Sequence, residues 1–176
     1  MKNYYAARSL VFLLTMIFNQ SLIAATLGSV EISLHGNIVA SSCTFSEGSD
    51  DQTIPLGDWP VKNFSGNSSG GIRTVPVYFG ISLTDCSASS TELVFSGKQD
   101  SSSAELLALD SGSSAKNVAI EILDAGRNRV ALNQTVSNTV DSDGKVAYTF
   151  YANYISTGLV QAGSANGTLT FTINYS

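Results

Sequence analysis

Apolar and polar residues alternate strictly over several short stretches of this chain. Residues 167–176 (GTLTFTINYS) place Leu169, Phe171, Ile173 and Tyr175 on one face. That period of two predicts a half-buried β-strand, because successive side chains point to opposite sides of a pleat. Residues 29–39 (SVEISLHGNIV) repeat the pattern with Val30, Ile32, Leu34, Gly36 and Ile38. Between these two lie further stripes: Val75, Val77, Phe79, Ile81 and Leu83; Leu93 and Phe95; Val118, Ile120 and Ile122; and, longest, Val146, Tyr148, Phe150, Ala152 and Tyr154. Pro76 falls on the polar side of its stripe and marks an edge or an interrupted ladder. Asp143-Gly144 reads as a hairpin turn ahead of the longest stripe, and Asp124-Ala125-Gly126 as another turn. Residues 64–71 and 100–103 are Ser/Gly/Asn/Asp-rich connections. No stretch sustains a helical period, and residues 104–109 have at most the makings of one turn of helix. Several short strands between turn signals predict an all-β sandwich.

The two ends of the chain raise a question of pairing. One residue follows Tyr175, so no later segment is available to lie beside the last strand, and a long apolar edge left open would template pairing with another chain. The segment 29–39 reads in two ways. It is the first strand of the sandwich, or it leaves its own domain and completes a neighbour by β-strand addition.

Composition narrows the setting. Lys2 and Arg8 precede a short apolar core (LVFLLTMIF, residues 10–18), with small residues at Ala24 and Ala25. This predicts a secretory signal peptide over residues 1–25, cut after Ala24 or Ala25 and too short for a membrane span. Losing Lys2 and Arg8 takes the formal charge from −5 to about −7, which disfavours nucleic acid and anionic membranes as partners. No later apolar run approaches the ~20 residues needed to cross a bilayer, so no membrane insertion is expected. In an exported chain the pair Cys43 and Cys86 reads as a disulfide, whose loop closure removes denatured-state entropy worth roughly 4 kcal/mol.

The motifs with chemical potential sit in settings that do not support the chemistry. Gly66-Asn67-Ser68-Ser69-Gly70 matches the G-x-S-x-G pattern of a hydrolase elbow, but that motif needs a strand before it, a helix after it and a histidine partner. It sits in a Ser/Gly-rich stretch, and the one histidine, His35, lies in the N-terminal arm. Asp141-Ser142-Asp143-Gly144 opens like a calcium loop without the later ligands. Glu47, Asp50 and Asp51 read as a solvated loop, and a lone His35 is no metal site. The expectation is a protein without catalysis, metal or cofactor.

Taken in order behind a leader, these elements resemble a known family. They are the arm VEISLHGNIV, the first cysteine in SSCTF, the strand VPVYFGISLTDC with the second cysteine, the segments LLALDSGSSAKNVAIEILDAGRNRVALN and VAYTFYANYISTGLVQAGSANGTLTFTINYS, Gly163 fourteenth from the end, and the penultimate Tyr175. The chain resembles the pilin subunits of the chaperone–usher pathway, and is most similar to the minor subunits of type 1 fimbriae. The resemblance implies an incomplete immunoglobulin-like sandwich that lacks its last strand and carries an N-terminal donor-strand arm. It divides the chain into a signal peptide (1–25), a donor-strand extension (26–39) and the sandwich domain (40–176).

In this family the partners are a periplasmic pilus chaperone, an outer-membrane usher and neighbouring subunits, and the destination is a cell-surface fimbria reached through the periplasm. Carried onto this sequence, Val30, Ile32, Leu34, Gly36 and Ile38 are the donor residues. Gly163, Leu169, Phe171, Ile173, Tyr175 and Ser176 serve the acceptor groove and the chaperone. Two other classes stand beside this reading. A free-standing secreted sandwich that binds carbohydrate needs an exposed aromatic platform, whereas Trp59, the one tryptophan, sits in what reads as loop packing. A secreted hydrolase needs a catalytic partner for Ser68.

Overall fold

The computed structural model describes residues 42–66 and 68–176, and the leader and the arm with its five alternating residues lie outside them. The described residues form an all-β sandwich with one short 3-10 helix at Val61–Phe64. Its strands are β1 (Thr44–Phe45), β2 (Val77–Thr84), β3 (Ser90–Gly97), β4 (Lys116–Leu123), β5 (Thr135–Thr139), β6 (Val146–Gln161) and β7 (Leu169–Tyr175). One sheet has the order β1-β2-β6-β4 and the other β5-β3-β7, with every pairing antiparallel.

The alternating stripes supply the core. Ile81, Leu83, Leu93, Phe95 and Phe150 are each no more than 1% exposed. Phe95 meets Phe150 edge-on at 4.8 Å between ring centroids, and Phe79 lies 5.6 Å from Phe150, the tilted geometries that aromatic quadrupoles favour. A buried polar tie joins the sheets below this cluster. Tyr148 Oη donates to the Thr91 carbonyl at 3.0 Å and sits 2.7 Å from Thr91 Oγ1. Cys43 and Cys86 are joined by a disulfide that links the start of β1 to the end of β2.

Three sequence expectations change. The stripe expected to begin at Val75 begins at Val77, and Val75 is 67% exposed. Pro76 has no N–H to give the ladder, so residues 71–74 pair with β6 as a separate piece, through Thr74 N–H to the Tyr154 carbonyl and Ser156 N–H to that of Ile72. The turn at Asp143-Gly144 forms, with Gly144 at φ +71° and Asp141 Oδ1 accepting from the N–H groups of Asp143 and Lys145. It is no hairpin, because β5 and β6 belong to different sheets and the turn arches between them. Residues 104–109 make no helical turn. Leu107 instead bridges to Gln99 on one side and to Ile120 on the other, crossing between the sheets.

A seven-strand immunoglobulin sandwich has strands A, B, E and D in one sheet and C, F and G in the other. Here β1, β2, β6 and β4 take the places of A, B, E and D, while β3 and β7 take those of C and F. Strand G, which belongs beside β7, has no counterpart among the described residues, and β5 covers the opposite side of β3.

Candidate functional site

Among the described residues no strand fills the position beside β7, which is a groove of about 800 Å³. β7 forms one bank. Its inward residues Leu169, Phe171, Ile173 and Tyr175 are only half-buried, although they pair in register with β3, whose Leu93 and Phe95 are fully buried. Buried apolar side chains of both sheets, among them Phe79, Ile81, Phe95, Ile120 and Ile122, make the floor. Among the described residues the sandwich is therefore open along this side down to its core.

Residues 49–58 form the other bank without regular secondary structure. Side chains fasten them to β2. Ser49 Oγ accepts from the Ser82 N–H at 3.2 Å, and Gln52 Nε2 donates to the Gly80 carbonyl at 2.7 Å. Ile54 and Leu56 pack from this bank onto the core. Trp59 is half-buried and donates its indole N–H to the Leu56 carbonyl at 2.8 Å, as expected of loop packing. At one end of the groove Phe45 of β1 meets Phe171 of β7 edge-on at 5.8 Å.

The other end is closed by tight backbone contact. Asp110 accepts from the Thr168 N–H at 3.1 Å and from Thr168 Oγ1 at 2.9 Å. Tyr154 Oη donates to the Ala165 carbonyl at 2.6 Å. Burial, reinforced by the nearby Asp58 charge, pushes the Tyr154 phenol up, which keeps it a donor. A side chain at Gly167 would meet Ile120 Cδ1 at 2.6 Å.

The expected site residues divide into groups. Leu169 and Phe171 line the groove, and Ile173 and Tyr175 continue the same face past it. Ser176 is tied to the start of β3, its N–H donating to the Ser90 carbonyl at 3.0 Å and its oxygen accepting from the N–H groups of Ser89 (2.8 Å) and Ser90 (3.0 Å). Gly163 does not face the groove. It lines an adjoining cleft of about 610 Å³ with Trp59 and Val118, where a Cβ would collide with Ser114 and the Ala115 backbone. The donor residues Val30 to Ile38 fall outside the described part. Sequence reading missed the second bank altogether, where the alternation of Ile54 and Leu56 in a polar loop was the available signal. Among the described residues no group of three or more His, Cys, Asp or Glu is placed to hold a metal ion, and no helix is long and apolar enough to cross a membrane.

A sandwich of this topology with a groove in place of a strand defines the class of protein, and the comparisons with known proteins agree. The sequence profile described as "Fimbrial protein" matches residues 32–176. The chain is 38% identical over 153 residues to the fimbrial-like protein FimF of Salmonella typhimurium, covering 86% of this chain and 87% of that one. It is 33% identical over 156 residues to the type-1 fimbrial protein, C chain, of Escherichia coli, with 85% of each covered. The crystal structure of the P pilus rod subunit PapA superposes with a TM-score of 0.63 at 22% identity, over 76% of this chain and 99% of that one, a likeness of fold. The chain belongs to the fimbrial protein family and is a structural subunit of a fimbria.

Proposed function

We propose that this subunit assembles by donor-strand exchange. The groove beside β7 first takes a strand from a periplasmic chaperone, which delivers the subunit to an outer-membrane usher. The arm of the next subunit then replaces that strand. In turn residues 26–39 of this chain, freed of the leader 1–25, fill the groove of a neighbour with Val30, Ile32, Leu34 and Ile38 pointing inward and Gly36 over a shallow point. The protein is exported through the periplasm to the fimbria and performs no catalysis.

The observation that carries this reading is the groove itself, a strand-sized vacancy whose floor is the hydrophobic core. Burying four aliphatic side chains at ~1.5–3 kcal/mol each releases on the order of 6–12 kcal/mol before ordering costs. Main-chain hydrogen bonds along β7 fix the register. Donor and acceptor surfaces differ, so the contact is heterologous and propagates instead of closing.

Deleting residues 26–36 tests the assignment. The expected result is normal folding and chaperone capture with no incorporation into fibres, followed by co-purification and by electron microscopy. Leu34→Asp, which would bury a carboxylate in the neighbour's groove, is expected to behave the same way more mildly. Unfolding of the deletion variant, or its loss from the chaperone complex, would make the arm this domain's own first strand.

A further inference from the structure

We propose that the groove selects its occupant by charge. It takes a neighbouring subunit's strand whose solvent-facing positions carry lysine or arginine, and it disfavours a second copy of this chain's own arm. The inference rests on the reading that the groove accepts a strand. Asp50, Asp51, Asp58 and Asp110 line the groove, and among the described residues no basic side chain does. The first three lie exposed on the 49–58 bank, while Asp110 is engaged with Thr168. The facing bank is uncharged, since the outward residues of β7 are Thr170, Thr172 and Asn174.

A strand between these banks sends alternate side chains down to the floor and the others up between the walls. The upward set stands beside the aspartates. With an apolar floor below, the carboxylate field is focused into the cleft. The sign of the upward residues therefore governs encounter rate and choice of partner, while the inward residues supply affinity. Residues 26–39 of this chain contain Glu31 at an upward position and no lysine or arginine. The arm's carboxylate would face the acidic bank. Filling of this groove by its own kind is opposed, and a different subunit with a basic arm is preferred.

The test uses the full chain co-purified with its periplasmic chaperone and follows chaperone release on adding synthetic peptides. One peptide carries residues 26–39 of this chain and the other the same residues with Glu31→Lys. The Glu31→Lys peptide is expected to displace the chaperone about tenfold faster than the unchanged one at low salt, with the gap shrinking to under about twofold near 0.5 M salt as the screening length shortens. Asp50→Asn/Asp51→Asn/Asp58→Asn in the groove should erase the low-salt gap, and where that variant does not accumulate, Asp51→Asn alone should narrow it. Equal rates for both peptides at low salt, or a gap that survives neutralised aspartates, would overturn the charge inference and leave strand acceptance standing. Release by neither peptide at any salt would overturn strand acceptance and the inference with it.

Discussion

Glu121 has a fully buried side chain on the face of β4 opposite the stripe of Val118, Ile120 and Ile122. Arg73 reaches it through Nε at 2.6 Å and Nη2 at 2.9 Å, and Arg129 through Nε at 2.8 Å, while Arg129 also holds Glu105 at 2.7 Å. Burial works to raise the Glu121 pKa, but the bonds from Arg73, Arg129 and Asn153 outweigh it and hold the carboxyl below its ordinary range. A depressed carboxyl contributes stability that is fully present above its unfolded-state pKa and is lost as pH falls through the lower folded value. The tie is thus intact at pH 7 and weakens only in acid below the ordinary carboxylate range. Arg73→Ala/Arg129→Ala leaves a buried carboxylate without a counter-charge, at a cost of about 3–5 kcal/mol. Glu121→Gln added to that pair should restore part of the loss. Urea unfolding of the strand-complemented subunit at pH 7 checks this, and no recovery on adding Glu121→Gln would show that the arginines act through packing alone.

Among the elements, β7 is a long strand at the edge of its sheet among the described residues. It pairs with β3 on one side, and its last anchor is Ser176, whose N–H and oxygen together make three backbone bonds to Ser89 and Ser90. Removing Tyr175 and Ser176 forfeits these bonds, worth roughly 1 kcal/mol each, and the half-buried Tyr175 ring. Loss of a stable chaperone complex is expected. Recovery of the truncated chain with chaperone at wild-type level would place recognition elsewhere. β7, β2, β3, β4 and β6 were legible in the sequence because each turns one face to a single core, which imposes a period of two. β5 was not, since TVSNT is an edge strand with Val136 its one apolar residue. Asp143-Gly144 announced a turn but not the sheets it joins, because sheet membership is settled by distant pairing. Half of the groove was legible for the same reason that β7 was. The bank at residues 49–58 was hidden because side-chain bonds from Ser49 and Gln52 hold it, and these leave no periodic trace. The burial of Glu121 depends on arginines arriving from residues 73 and 129, a tertiary event that local pattern does not encode.

At the scale of the whole molecule, an open core leaves a narrow margin of stability. Folded domains hold on by about 5–15 kcal/mol, and the Cys43–Cys86 bridge closes the loop that contains the 49–58 bank. Losing loop-closure stabilisation of roughly 4 kcal/mol takes a large share of that margin. Cys43→Ala/Cys86→Ala should therefore lower recovery of the subunit from the periplasm, and an unchanged yield and thermal midpoint would count against a structural bridge. The side of β7 that no described residue pairs with has a genetic consequence as well. In the proposed fibre, the side chains that fit over Phe95 and Ile120 are encoded with another polypeptide's arm. A substitution that hollows the floor is then compensated by a larger residue inherited on a different chain, so the two sequences drift as a matched pair, and the suppressors of a core defect map outside the protein that carries it.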